Sequence, residues 1–160
     1  MNAVLYSDPF ARKTPFGTGR YARHLLEGLR ALEPQSTFTP WSTWTDCDAN
    51  GQAALREAYD WRKIPLNRKL TGSAWAFLKG PPIELWAGWG HDLVHVLECV
   101  YPVRTKKPLV VTLHDIGPLT HPDLFTSVRP WLMKMGLRHA IDQAAAIICV
   151  SQATADSFQD

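Results

Sequence analysis

Pro108-Leu109-Val110-Val111-Thr112-Leu113-His114-Asp115 and, further along, Ala145-Ala146-Ile147-Ile148-Cys149-Val150-Ser151 decide the reading of this chain. Each is a near-continuous apolar run that ends on polar residues. Neither alternates apolar with polar, so both suit strands covered on two faces, as in a parallel sheet. Between them a helical pattern runs from Val128 to Ala144, with Ser127 as its expected N-cap and Pro130 in the first turn, where a missing N–H costs little. Met133, Leu137, Ala140, Ile141 and Ala144 form its expected buried stripe.

The same alternation extends toward the N-terminus. Leu93-Val94-His95-Val96-Leu97 is a third apolar run, and Ala3 to Tyr6 suits a buried strand. After a loop with Pro9 and Pro15 come Gly17-Thr18-Gly19-Arg20 and a helical pattern. Its apolar stripe is expected at Tyr21, Leu25, Leu29 and Leu32, flanked by Ala22 and Leu26, with Arg20, Arg23, Glu27 and Arg30 on the other side. Pro34 stops it near Glu33, and Phe38 to Trp44 reads as a strand whose start Pro40 weakens. Gln52 to Trp61 and Asn67 to Lys79 read as helices, with Pro65 between them. No internal repeat or low-complexity tract interrupts the pattern. Ser151 caps a last short helix toward Phe158. The expected fold class is α/β, a Rossmann-like open parallel sheet with helices on both faces, in one domain over residues 1–160.

Composition narrows the function. A chain of 160 residues with 46% hydrophobic and 20% charged residues can bury an ordinary core. Seventeen Lys and Arg against 15 Asp and Glu give a formal net charge of +2, which excludes nucleic-acid binding held mainly by net charge and leaves open a local basic patch. Cys47, Cys99 and Cys149 are scattered and odd in number, as for free thiols in a reducing compartment. With neither a signal peptide nor a spanning segment in view, the expected location is cytoplasmic. From Asp46 to His91, Arg62, Lys63, Arg68, Lys69 and Lys79 mingle with Trp61, Trp75, Phe77, Trp86 and Trp89. Composition favours Trp packing between helices and sheet with the cations in water. The other reading is a peripheral membrane or lipid-acceptor surface at the inner face of the membrane.

Ligands of open α/β sheets gather outside the carboxyl ends of the strands, and three groups map there. Phe16-Gly17-Thr18-Gly19-Arg20 leads into a helix N-terminus, where two glycines and free N–H groups favour an anion such as phosphate or simply make a plain helix entry. Gly17 to Ala22 fits GxGxxG/A, but the glycines stand too far past the first strand for a dinucleotide turn, and no acidic residue closes the second strand. Thr112-Leu113-His114-Asp115 places a His–Asp pair toward a crevice, where it would meet a sugar hydroxyl, a developing charge or simply a loop carbonyl. Val150-Ser151-Gln152 forms the next strand-to-helix junction, with Ser151 as cap or ligand contact and Gln152 beside it. His121 before Pro122 reads as loop-ordering. His91 and His95 have zinc-like spacing, but on a strand and with no third ligand in view. The chain contains no GxSxG, P-loop or CxxC.

Taken in order, these pieces carry a resemblance. Pro108 to Ile116 followed by His121-Pro122 resembles the "vvTlHD…hP" signature of family 4 (group 1) glycosyltransferases, and Ala145 to Ser151 is similar to their "ad-x-I-x-x-V-S" strand. Gly17 to Tyr21 resembles the "GiGRY" loop of the mannosyltransferase-like branch, and Asp92-Leu93-Val94-His95 the preceding "D-l-v-H" strand. The resemblance implies one half of a GT-B fold. It further implies a retaining hexosyltransferase of polysaccharide biosynthesis that uses a nucleotide-sugar donor, with a glycan or lipid-linked acceptor and neither metal nor other cofactor. By the same carry-over, His114 is the catalytic candidate, near the donor sugar. Gly17, Thr18, Gly19 and Arg20 form the donor-phosphate or acceptor loop, and Asp115, Ser151 and Gln152 are acceptor or substrate contacts. Gln152 stands where the family often has Glu. The family's last N-terminal strand and its C-terminal donor-binding domain would follow Asp160, so the expectation is an acceptor-side half, inactive alone, as a fragment or one subunit of a split transferase. The reading set against it is a free-standing, non-catalytic Rossmann-like module that binds a small phosphorylated ligand.

Overall fold

The computed structural model describes residues 1–125 and 128–159. Six strands form one sheet: β1 (Asn2–Tyr6), β2 (Thr37–Ser42), β3 (Arg62–Lys63), β4 (Leu93–Val96), β5 (Leu109–Leu113) and β6 (Ala144–Cys149). Their order is β3-β2-β1-β4-β5-β6, and every neighbouring pair is parallel. The longer helices are α1 (Gly17–Leu32), α2 (Ala49–Tyr59), α3 (Arg68–Phe77), α6 (Val128–Gln143) and α7 (Gln152–Gln159). One-turn helices α4 (Glu84–Ala87) and α5 (Gly117–Thr120) and 3-10 turns at Pro9–Ala11 and Pro122–Leu124 complete the chain. This is the Rossmann-like α/β architecture that the apolar runs imply.

Alternation along β1 builds the core on both faces. Val4 and Tyr6 join Trp41, Ile64, Trp75, Val94, Val111 and Ala140 on one face, beneath α3 and α6. Ala3 and Leu5 join Phe10, Ala22, Leu26, Phe38, Leu55 and Trp61 on the other, beneath α1 and α2. Pro40 lies inside β2, not at its start. The Trp41 carbonyl accepts from Ser7 on the β1 side and the Ser42 carbonyl from Ile64 on the β3 side. By alternation the Pro40 nitrogen faces the β3 side before β3 begins, where no donor is required.

Several expectations shift. The buried centre of α1 is Gly19, Ala22 and Leu26, while Leu32 is 80% exposed. Arg23 and Arg30 are half-buried, not a solvent face: they donate to the carbonyls of Phe10, Arg12, Phe38 and Tyr59, because the segment after β1, strand β2 and the end of α2 lie on that side of the helix. On α6, Met133 and Ala140 are buried but Ile141 is exposed, and Ala144 already belongs to β6. Ser127 lies outside the described residues. The last strand is not covered on both faces: as the edge of the sheet it leaves Ile148 exposed, together with Val150 just beyond it. Cys47, Cys99 and Cys149 are free thiols.

Candidate functional site

From β1 the chain crosses to β2 and β3 on one side, and from β4 to β5 and β6 on the other. The carboxyl ends of β1 and β4 therefore flank the switch point, where an open sheet leaves a crevice. The polar residues just beyond these strands are Ser7-Asp8 and Glu98. Asp8 is only 2% exposed, yet its carboxylate is well partnered. Its Oδ1 accepts from Thr43 N at 2.7 Å and from Trp44 N at 3.2 Å, and the Thr43 hydroxyl donates to it at 2.8 Å. Arg68, in the first turn of α3, sets Nε 2.9 Å from Asp8 Oδ2 without aligning its N–H, so the contact is an ion pair, not a directed hydrogen bond. The Asp8 amide donates to Glu98 Oε1 at 3.3 Å.

Burial, reinforced by the Asp8 charge, pushes the Tyr6 phenol well above its ordinary range. For Arg68, burial alone would lower the pKa, but Asp8, Tyr101, Glu98 and Tyr6 together outweigh it and the guanidinium is held more firmly charged. Above this network lies a relay of rings and cations. Arg12 sits over Phe16 and Trp44, and Arg68 over Trp44 and Tyr101, at 5.4 to 6.0 Å.

The glycine segment is the first turn of α1 itself, not a loop ahead of it, because the helix begins at Gly17. Phe16 at the N-cap offers no side-chain acceptor, so the leading N–H groups are left for a ligand or water. The two glycines differ. A Cβ on Gly19 would lie 2.5 Å from the Pro9 carbonyl oxygen and 2.9 Å from Pro15 Cβ, so close packing of the helix on the Pro9–Ala11 turn explains that glycine. A Cβ on Gly17 would meet nothing within 4 Å, and this is where a ligand has room. Thr18 is half-buried and Arg20 exposed.

His114 follows β5 directly. Its Nε2 lies 2.9 Å from the Leu97 carbonyl, which can only accept, so Nε2 carries a proton and the neutral ring presents Nδ1 as its acceptor. Tyr21 of α1 meets the imidazole edge-on, with ring centres 4.9 Å apart. The His114 carbonyl accepts from the Thr154 hydroxyl at 2.9 Å, and Ser151 Oγ accepts from Thr154 N at 3.1 Å, capping α7. The start of α1, the end of β5 and the start of α7 are thus tied together. Asp115 and Gln152 stay outside this network: Asp115 accepts from Gly117 N and turns the chain into α5, and Gln152 donates to Asp156 along α7. His121 likewise bonds its neighbour Thr120.

The sequence reading missed Tyr6, Asp8, Thr43, Arg68 and Thr154. For Asp8 a signal existed, an acidic residue directly after the first strand and before Pro9. His91 and His95 do not converge. His95 is buried against Thr112 Oγ1 at 2.8 Å, whereas His91 lies 3.7 Å from Glu84. Among the described residues no three His, Cys, Asp or Glu side chains form a group that could hold a metal.

The chain therefore carries a Rossmann-like domain in which the candidate residues gather at the carboxyl edge of a parallel sheet. The family model described as Glycosyltransferase Family 4 matches residues 16–160 and spans the glycine turn, His114 and Ser151. The chain belongs to glycosyltransferase family 4. Searches of curated proteins and of solved structures returned no match.

Proposed function

We propose that this domain is the acceptor-side half of a retaining, metal-independent hexosyltransferase of the mannosyltransferase-like branch, acting in polysaccharide biosynthesis in the cytoplasm. It works with a second domain that grips the nucleotide part of a nucleotide-sugar donor, and the acceptor is a glycan or lipid-linked glycan. The observation that carries this reading is the linkage of the Gly17 turn, His114 and Ser151 through Tyr21 and Thr154 at one edge of the sheet. The unfilled N–H groups at Gly17 suit a phosphate oxygen. His114, whose Nε2–H is held by Leu97 O, offers Nδ1 to a sugar hydroxyl at the donor. Arg20 adds positive charge beside the turn, while Asp115 and Gln152 are left to approach the acceptor from its periphery.

The test is transfer by the complete enzyme from a panel of nucleotide sugars, with the anomeric configuration of the product read by NMR. Retention is expected, and an inverted product would overturn the reading. His114→Ala should lower kcat by about a hundredfold while shifting KM little, since a polar contact that strengthens as the sugar–phosphate bond breaks is worth about 2–4 kcal/mol. Normal turnover per folded molecule would remove His114 from the site.

A further inference from the structure

A surface helix ordinarily buries one face and shows a polar one to water. Helix α3 departs from this. Thr71, Gly72, Trp75 and Ala76 are buried against the sheet side, with Gly72 so close to Tyr101 that a Cβ would lie 2.6 Å from its ring. On the outer side, Leu66, Leu70 and Phe77 follow one another at helical spacing, with Leu78 next to them. Leu70, Phe77 and Leu78 are 67%, 65% and 79% exposed. The stripe continues onto α6, where Trp131, itself exposed, stacks on Phe77 with ring centres 5.3 Å apart.

The charge around this stripe is predominantly positive. From Trp61 to Ile83 the sequence holds Arg62, Lys63, Arg68, Lys69 and Lys79 and no carboxylate, in a chain whose formal net charge is only +2. Arg62 is paired with Asp60 and Arg68 with Asp8. The side chains of Lys63, Lys69 and Lys79 make no hydrogen bond or ion pair with any described residue. Two basic grooves flank α3. One, of about 880 Å³ at its N-terminal end, is lined by Arg56, Lys63, Arg68 and Lys69. The other, of about 480 Å³ just past its C-terminal end, is lined by Lys79, Arg104 and Arg138, with Asp142 the single carboxylate.

We propose that the outer face of α3, extended by Trp131, docks this protein on a lipid bilayer with anionic headgroups. The leucines and aromatic rings enter the boundary between headgroups and acyl chains, and the lysines extend to the lipid phosphates. A second copy of the chain is a poor occupant, because a two-fold contact would bring the basic segment against itself. This proposal is independent of the transferase reading.

The test is co-sedimentation of the chain with vesicles of phosphatidylcholine alone and of equal parts phosphatidylcholine and phosphatidylglycerol. Binding is expected to the anionic vesicles only and should weaken with salt. Replacing Lys63, Lys69 and Lys79 together by Ser should weaken it on the order of a hundredfold, each basic residue at an anionic surface being worth roughly fivefold. Leu70→Ser with Phe77→Ser should weaken it by about tenfold or more, whereas Leu32→Ser, exposed on α1 and off the patch, should not. Every changed side chain is exposed, so melting temperatures close to that of the parent are required of each variant. The proposal falls if the anionic vesicles bring down no protein. It also falls if the leucine–phenylalanine variant binds like the parent, which marks a general polyanion site. A third refuting outcome is that the variants break up a dimer in sedimentation velocity while vesicle binding is unchanged, which marks a face between copies.

Discussion

Asp8→Asn isolates the charge at the switch point, because it keeps the size and one oxygen of the side chain. The retained oxygen can still accept from Thr43 N and Trp44 N, at 2.7 and 3.2 Å in the parent. The new amide group then faces Arg68 Nε, where the carboxylate oxygen stood 2.9 Å away, and two donors oppose each other. Breaking a fully buried pair costs roughly 3–5 kcal/mol. The Arg68 side chain is 37% exposed, so water replaces part of the interaction, and about 2–3 kcal/mol is the expected loss. For a chain of this size that is a fall of about 4–12 °C in melting temperature. Asp8→Ala should cost more, since Thr43 N and Trp44 N also lose their acceptor at roughly 1–3 kcal/mol each. Urea unfolding followed by tryptophan fluorescence and circular dichroism measures both. Adding Arg68→Met to Asp8→Asn should recover part of the loss, because the uncompensated cation is removed. The reasoning is refuted if Asp8→Asn lies within about 0.5 kcal/mol of the parent, or if the two substitutions simply add.

Gly19→Ala should lower stability by about 1–3 kcal/mol through the Pro9 and Pro15 clash, whereas Gly17→Ala should leave the melting temperature nearly unchanged and weaken ligand binding instead. Thermal melts and binding on the same samples separate the two glycines, and equal melting temperatures would refute the distinction. Burial holds His95 at a pKa of about 4, below the roughly 6.5 of an unfolded chain. The unfolded state thus takes up the proton first as pH falls, and the His95 contribution, complete above about pH 6.5, is lost progressively toward pH 4. Between pH 7 and 5 the parent should lose about 2 kcal/mol from this group. His91 and His139, also lowered by burial, act in the same direction. Urea midpoints at the two pH values should show a shallower loss for His95→Asn, and an equal loss would remove His95 as the source.

The sheet was legible because its signal is local. Val94, Val96, Val111 and Leu113 pack into one face of the sheet, and they stand in near-continuous apolar runs of the kind that a strand covered on both faces requires. The helix faces were less legible. Leu32 and Ile141 continue apolar stripes by spacing alone, but each lies near the last turn of its helix, beyond the sheet that covers the middle. Arg23 and Arg30 looked like a solvent face because spacing cannot show that other segments bring carbonyls to that side. Within the site, His114, the glycine turn and Ser151 could be read because each sits where a strand or turn passes into a helix. Asp8 had a local signal in its place after the first strand, but its network with Thr43 and Arg68 could not be read, because three separate segments supply it and no spacing along the chain encodes it.

Helix α3 shows why the two ends of this argument can be tested separately. Its first residue reaches Asp8, its inner side carries Trp75 against Tyr6, and its outer side carries Leu70 and Phe77. Trp75 and Gly72 fix the position of the helix on the sheet, and the outer residues add only the Phe77 stack on Trp131. Changing Leu70 and Phe77 to Ser therefore leaves the ion pair at Asp8 in place, and removing the Asp8 charge leaves the outer stripe in place. Substitutions that share no partner add within about 0.3–0.5 kcal/mol. Combining Asp8→Asn with the outer-face variant should give the Asp8→Asn stability loss and the outer-face loss of vesicle binding, each at its single-variant size. A vesicle affinity that responds to Asp8→Asn alone would mean that α3 does not sit on the sheet independently of its first turn, and the separation of crevice from docking face would have to be abandoned.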